Sequence, residues 1–128
     1  MKSLRSPLGS VVGLGSARSG AHHWWLQRLT SIALVPLTIW FAVSILSLPS
    51  LDHVTVIAWM AQSWTALLLI LLVLVGTWHS RLGVQVVIED YLHGGTKTLV
   101  LVAVNFLHVL IAVAGVFAIL KVALGGAS

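Results

Sequence analysis

Four groups of residues carry side chains that can do chemistry: His22-His23-Trp24-Trp25 with Arg28, His79 with Arg81, Glu89-Asp90-Tyr91, and His108. Imidazole ligates metals and carries protons near neutral pH. A carboxylate relays protons, a phenol donates to a carbonyl oxygen, and a guanidinium forks onto carboxylates. All four groups sit inside or at the ends of apolar stretches. Ionisable groups there are expensive and generally face protein, a cofactor or a polar cavity, so each is a functional candidate.

His79 has the most informative surroundings. On a helix Gly76 and Gly83 stand at i−3 and i+4 and share its face. That stripe of small residues either leaves room for a flat ligand such as haem, whose iron takes an imidazole nitrogen, or marks close helix packing with His79 bonded to a neighbour. His108 lies as deep as His79, about eleven residues or roughly 16 Å from the chain reversal between them. The two histidines either face each other as ligands of one haem or are unrelated, with His108 and Asn105 making an inter-helix polar contact. Arg81, two residues past His79, points about 200° away, which suits snorkelling or pairing with a partner subunit. Arg28 sits where an apolar stretch begins; it suits a haem propionate or a quinone oxygen, or plain positive-inside anchoring. Asp90 follows His79 by eleven residues, about three turns, so the two share a face roughly 16 Å apart on a continuous helix. Tyr91 beside it can donate to a carbonyl at the interface or belong, like Trp24 and Trp25, to an aromatic belt. Asp52 and His53 read as loop residues, and a part for His22 and His23 in proton uptake rests on little.

The elements that must hold these residues are membrane spans. Of 128 residues 59% are hydrophobic and 8% charged, and the mean hydropathy is +1.05, so lipid is the expected solvent for much of the chain. The absence of cysteine excludes disulfides, thiol chemistry and iron–sulfur ligation by this chain. The net charge of +4 comes from scattered basic residues, without a patch, so nucleic-acid recognition is set aside. Residues 1–21, rich in Gly and Ser, read as a flexible polar tail, and residues 22–128 as a three-span membrane anchor. The apolar core starting near Leu29 is read as a retained span, since a signal peptide places its core earlier.

The expected fold class is an all-α membrane protein with three transmembrane helices at about 29–48, 63–88 and 98–122, part of a larger helical bundle. Pro36 lies inside the first span. A short amphipathic piece around Val54–Gln62 precedes the second, because a helix from Val56 to Ile88 would exceed the ~30 Å hydrocarbon core. The Glu89–Lys97 loop contains the Gly94-Gly95 pair as a helix stop. Arg18, Arg28 and Lys97 against Lys121 place the N-terminus and that loop in the cytoplasm and the C-terminus outside.

The run from His79 through Gly83 to Asp90-Tyr91 resembles the signature of the small hydrophobic membrane anchor of succinate dehydrogenase (respiratory complex II, cytochrome b556 small subunit). The stretch Gly20-Ala21-His22 … Arg28-Leu29-Thr30 is similar to that family's entry to its first span. The resemblance implies that His79 is one axial ligand of a b-type haem, the other coming from the larger cytochrome b556 anchor subunit. It implies that Tyr91 bonds a ubiquinone carbonyl, that Asp90 supports proton delivery, and that Arg28 sits near a haem propionate. It further implies a bacterial cytoplasmic (inner) membrane location, an iron–sulfur subunit and a flavoprotein subunit as partners, and no enzyme activity of this chain alone. His108, Arg81 and His23 carry nothing over. Rival readings are a menaquinone-linked fumarate reductase anchor, a purely structural or assembly membrane protein, and, last, a small transporter subunit.

Overall fold

The computed structural model describes residues 16–125, with side chains from residue 20 onward. Most of the tail expected over 1–21 lies outside the described residues. Among the described residues the protein is all-helical: α1 Ser16–Leu46, α2 His53–Met60, α3 Ser63–Tyr91 and α4 Gly94–Gly125. Three of these, α1, α3 and α4, are long and apolar enough to cross a membrane.

The helices outrun the apolar stretches that announced them. α1 begins at Ser16, well before Leu29, because nothing between breaks a helix and hydropathy marks only the part suited to lipid. It passes through Pro36, as membrane helices do where their carbonyls find other partners. It ends two residues before Leu48, whose own place before Pro49 disfavours helical backbone. α3 spans 29 residues, about 43 Å by helix rise, so it too exceeds the hydrocarbon core. The connection between α3 and α4 is shorter than the expected Glu89–Lys97 loop. Only Leu92 and His93 lie between the helices, and Gly94 opens α4 with a φ of 66°. So tight a reversal requires a left-handed residue, which glycine adopts without strain. The Gly94-Gly95 pair therefore starts one helix where the sequence suggested it stopped another.

α3 is the central helix. It packs against α1 on one side and α4 on the other, and the backbones of α1 and α4 do not approach each other closely among the described residues. The short α2 closes the end opposite Tyr91, where the buried Trp59, Ala66, Leu69 and Ile119 form the core. Trp59 stacks on Trp40 with ring centroids 6.2 Å apart and planes at 22°. Near this end α4 comes close to α3 because Gly115 has no side chain: a Cβ there would stand 2.9 Å from Val73 Cγ1. Valine is stiff at χ1 and cannot swing aside, so the packing requires glycine. Much of the remaining apolar surface is unpaired within the chain, with Ile32 69% and Phe106 72% exposed. Lipid and neighbouring helices are its natural solvents.

α2 is held at its start by Asp52. That carboxylate accepts from the Ser50 hydroxyl, from the Thr55 amide at 2.9 Å and from the Thr55 hydroxyl at 3.1 Å. The Ser50 hydroxyl first, then the Thr55 amide, hold its pKa at about 2, below the usual 3.8. Because the folded value is the lower one, the cap contributes fully above the ordinary carboxylate range and is lost as pH falls through about 2. Asp52→Ala should therefore speed hydrogen exchange at the Thr55 amide at neutral pH. The ratio of variant to wild-type exchange should shrink towards one as pH is lowered; a ratio independent of pH would contradict the charged cap.

Candidate functional site

The face of α3 that carries Gly76, His79 and Gly83 is turned onto α1. A Cβ added to Gly76 would stand 3.8 Å from Leu34 Cδ2, and one added to Gly83 would stand 3.9 Å from Gln27 Nε2. These are ordinary contact distances, so a Cβ would fit at either glycine, and α1 lies directly against this face. Between them His79 Nδ1 lies 2.9 Å from Thr30 Oγ1 on α1. The same hydroxyl lies 2.8 Å from the Leu26 carbonyl and 3.0 Å from the Gln27 carbonyl. His79 is half-buried, and its Nε2 has no hydrogen-bond partner among the described residues.

The adjacent face of α3 meets α4. His108 Nδ1 is 2.8 Å from the Val104 carbonyl, and His108 Nε2 is 3.2 Å from Ser80 Oγ. A carbonyl only accepts, which puts the proton on Nδ1 and leaves Nε2 to accept from the Ser80 hydroxyl. Both ring nitrogens are thus used inside the chain. Because His79 turns to α1 and His108 to Ser80, the structure does not bring them together as two ligands of one haem. Arg81 Nε donates to Asn105 Oδ1 at 2.6 Å, and its guanidinium sits 5.1 Å from the centre of the Trp78 ring. The inter-helix polar contact foreseen for His108 and Asn105 is therefore present, as two parallel contacts to α3. Arg81 and His108 also line an apolar cavity of about 210 Å³ together with Leu74, Trp78 and Val109.

The far end of α3 is open. Asp90 and Tyr91 are the last residues of one uninterrupted helix that also contains His79, so the continuity on which the shared face depended is present. Tyr91 is 80% exposed and Asp90 is exposed beside it. Neither is drawn into the packing of this chain, which leaves both available to a ligand or a neighbouring subunit. Gln85 Nε2 donates to Glu89 at 2.9 Å, one turn away. Here α1 and α3 part to form a groove of about 640 Å³ lined in part by His23, Trp24, Gln27, Gly83 and Glu89. His23 Nε2 and Gln27 Oε1 are buried at its edge without hydrogen-bond partners. Arg28 is exposed, with its guanidinium 4.5 Å from the centre of the Trp24 ring. It is two residues from Thr30 and so on another face of α1; the structure does not bring it to His79. His22 is exposed.

Among the described residues no three His, Cys, Asp or Glu side chains converge as a metal-ion site. Sequence reasoning missed Thr30 as a partner of His79. The available signal was the glycine stripe, which marks the face of α3 that a neighbouring helix approaches.

Known proteins resemble the chain along most of its length. The family described as succinate dehydrogenase/fumarate reductase transmembrane subunit matches residues 2–120. The chain is 35% identical over 117 residues to the succinate dehydrogenase hydrophobic membrane anchor subunit of Rickettsia bellii, covering 90% of this chain and 93% of that one. It is 33% identical over 121 residues to the protein of the same description from Paracoccus denitrificans, covering 94% of this chain and 93% of its counterpart. A succinate dehydrogenase membrane anchor subunit of Reclinomonas americana is 30% identical over 80 residues, 60% of this chain and 67% of that protein. No solved structure matches the chain.

Proposed function

The chain belongs to the succinate dehydrogenase/fumarate reductase transmembrane subunit family as a membrane anchor of succinate dehydrogenase, and on that premise we propose that it supplies one haem ligand and part of a ubiquinone-reduction site. As an anchor it is a multi-pass membrane protein that works in a complex with other succinate dehydrogenase subunits. In the proposed assembly these are a flavoprotein, an iron–sulfur subunit and a larger cytochrome b556 anchor.

The observation that carries the proposal is the layout of α3. One continuous helix holds His79 in its membrane-embedded part and presents Tyr91, 80% exposed, at its end. His79 fits a b-type haem: one ring nitrogen is engaged by Thr30 and the other is free of partners among the described residues, as an axial ligand requires. The second axial ligand would come from the larger anchor. A haem held there would supply a one-electron store. Tyr91 donates its phenol proton in a hydrogen bond to a quinone carbonyl, favouring the reduced oxygen over the neutral one. Asp90, exposed beside it, passes protons from the aqueous side. Arg28, stacked on Trp24 at the membrane entry of α1, offers free N–H donors to a propionate. Arg18, Arg28 and Lys97 against Lys121 support a cytoplasmic Tyr91 end, where an iron–sulfur subunit would dock.

The test is purification through an affinity tag on this chain in mild detergent. Flavoprotein, iron–sulfur and second anchor polypeptides should co-purify, and the reduced-minus-oxidised spectrum should show b-type bands. A chain that purifies with those partners but without haem would remove the ligand proposal, and one that purifies alone would remove the assembly as well.

A further inference from the structure

We infer that Thr30 is a positioning residue for His79, holding the proton on Nδ1 and so presenting Nε2 as the ring's lone-pair nitrogen. The inference rests on reading His79 as a haem ligand. Its argument is proton counting. Thr30 Oγ1 has three near neighbours: the Leu26 carbonyl at 2.8 Å, the Gln27 carbonyl at 3.0 Å and His79 Nδ1 at 2.9 Å. A threonine hydroxyl has one proton and two lone pairs, whereas a carbonyl only accepts. Two oxygens 2.8 Å apart are at hydrogen-bond distance, and without a proton between them they repel. The hydroxyl proton therefore lies towards the backbone of α1, and the oxygen accepts from His79 Nδ1–H. The result is a short chain, Nδ1–H to Oγ–H to a helix carbonyl, in which each bond polarises the next.

Three consequences follow for the imidazole. Its tautomer is fixed, since a proton on Nε2 would leave Nδ1 facing a lone pair. Its ring plane is fixed by a contact between two helices, across a separation of 49 residues in sequence. Its Nε2 lone pair is the better placed to bind a metal, because an N–H engaged by an acceptor makes the opposite nitrogen a stronger electron-pair donor. Orienting partners of this kind typically account for about 10–100-fold in metal affinity. The acceptor here is a neutral hydroxyl, so the lower end of that range is expected. A more strongly donating imidazole would favour ferric over ferrous iron, which would lower the midpoint potential.

Thr30→Val removes the hydroxyl and keeps the β-branched shape, whereas Thr30→Ser keeps the hydroxyl. Both are to be made in the intact complex beside His79→Ala. The readouts are haem per flavin, the rate of haem loss to excess apomyoglobin, and the midpoint potential. Normalising to flavin confines the measurement to assembled complexes. The Val variant should lose haem about tenfold faster and titrate at a higher potential, with the Ser variant at wild-type values. Val, Ser and wild type alike in both haem loss and potential, with His79→Ala lacking the b-type spectrum, would overturn the role of Thr30 alone. A His79→Ala complex with an unchanged spectrum would instead overturn the ligand reading beneath it. If the Val variant does not assemble, Thr30→Cys, with a weak thiol acceptor in the same place, should fall between Ser and wild type on one side and haem loss on the other; wild-type behaviour of Cys would count against the inference.

Discussion

His79→Ala should strip the b-type Soret and α bands from the purified complex while leaving the flavoprotein attached. Among the described residues this imidazole combines a nitrogen without a partner with a fixed neighbour on α1. Orienting contacts alone typically contribute about 10–100-fold to metal affinity, and deletion of the ligand itself costs at least that much. The substitution should cost the helix pair little, because Thr30 keeps its bond to the Leu26 carbonyl at 2.8 Å and the glycines on either side keep their contacts. His108→Ala is the control at the same depth. Its ring nitrogens are already spent on Val104 and Ser80, so its loss should weaken the α3–α4 contact and spare the spectrum. The opposite pattern, bands lost with His108 and kept with His79, would reverse the assignment.

That contrast between two histidines was out of reach of the sequence, and the reason is geometric. Depth can be read along a chain by counting residues, and both histidines do lie at similar depth. The direction a side chain takes at that depth depends on which face of α3 meets which neighbour. Hydropathy placed the three spans because lipid tolerates so little charge, and the second, 63–88, differs from α3 by only a few residues at one end. It could not place the start of α1, since a helix that has left the lipid continues until something breaks it. The Gly94-Gly95 pair was legible as an interruption but not as a start or a stop: a positive φ serves either side of a reversal. His79, Asp90 and Tyr91 were legible because one helix carries all three, and spacing along a helix is a property of sequence alone. The pairs His79–Thr30, Arg81–Asn105 and His108–Ser80 each join two helices. They depend on the register of packing, which no single span encodes.

The same packing separates the two tasks proposed for α3. Its middle is clamped: α1 covers one face through Gly76, Thr30 and Gly83, and α4 holds the next through Asn105 and His108. Its Tyr91 end is unclamped: Asp90 and Tyr91 are exposed among the described residues. A rigid midsection suits a ligand that must keep one orientation. An open end suits a residue that completes a site only when another subunit arrives.

Tyr91→Phe should therefore slow ubiquinone reduction by about 10²-fold, the usual cost of removing one donor from a developing oxyanion. Succinate oxidation by a soluble dye, which draws electrons before they reach the membrane, should remain near wild type. The change removes a single oxygen from a side chain that is 80% exposed, so neither the helix nor the haem site depends on it. The b-type spectrum should accordingly be unaltered, which sets this variant apart from His79→Ala. Asp90→Asn provides the proton half of the argument. It keeps the shape and removes the base, so quinone reduction should fall most at high pH, where protons are scarce, and recover in part as pH is lowered. Equal losses with dye and quinone in Tyr91→Phe would mean that the end of α3 supports assembly and does not touch the quinone. Unchanged rates with both acceptors would place the quinone against other subunits altogether.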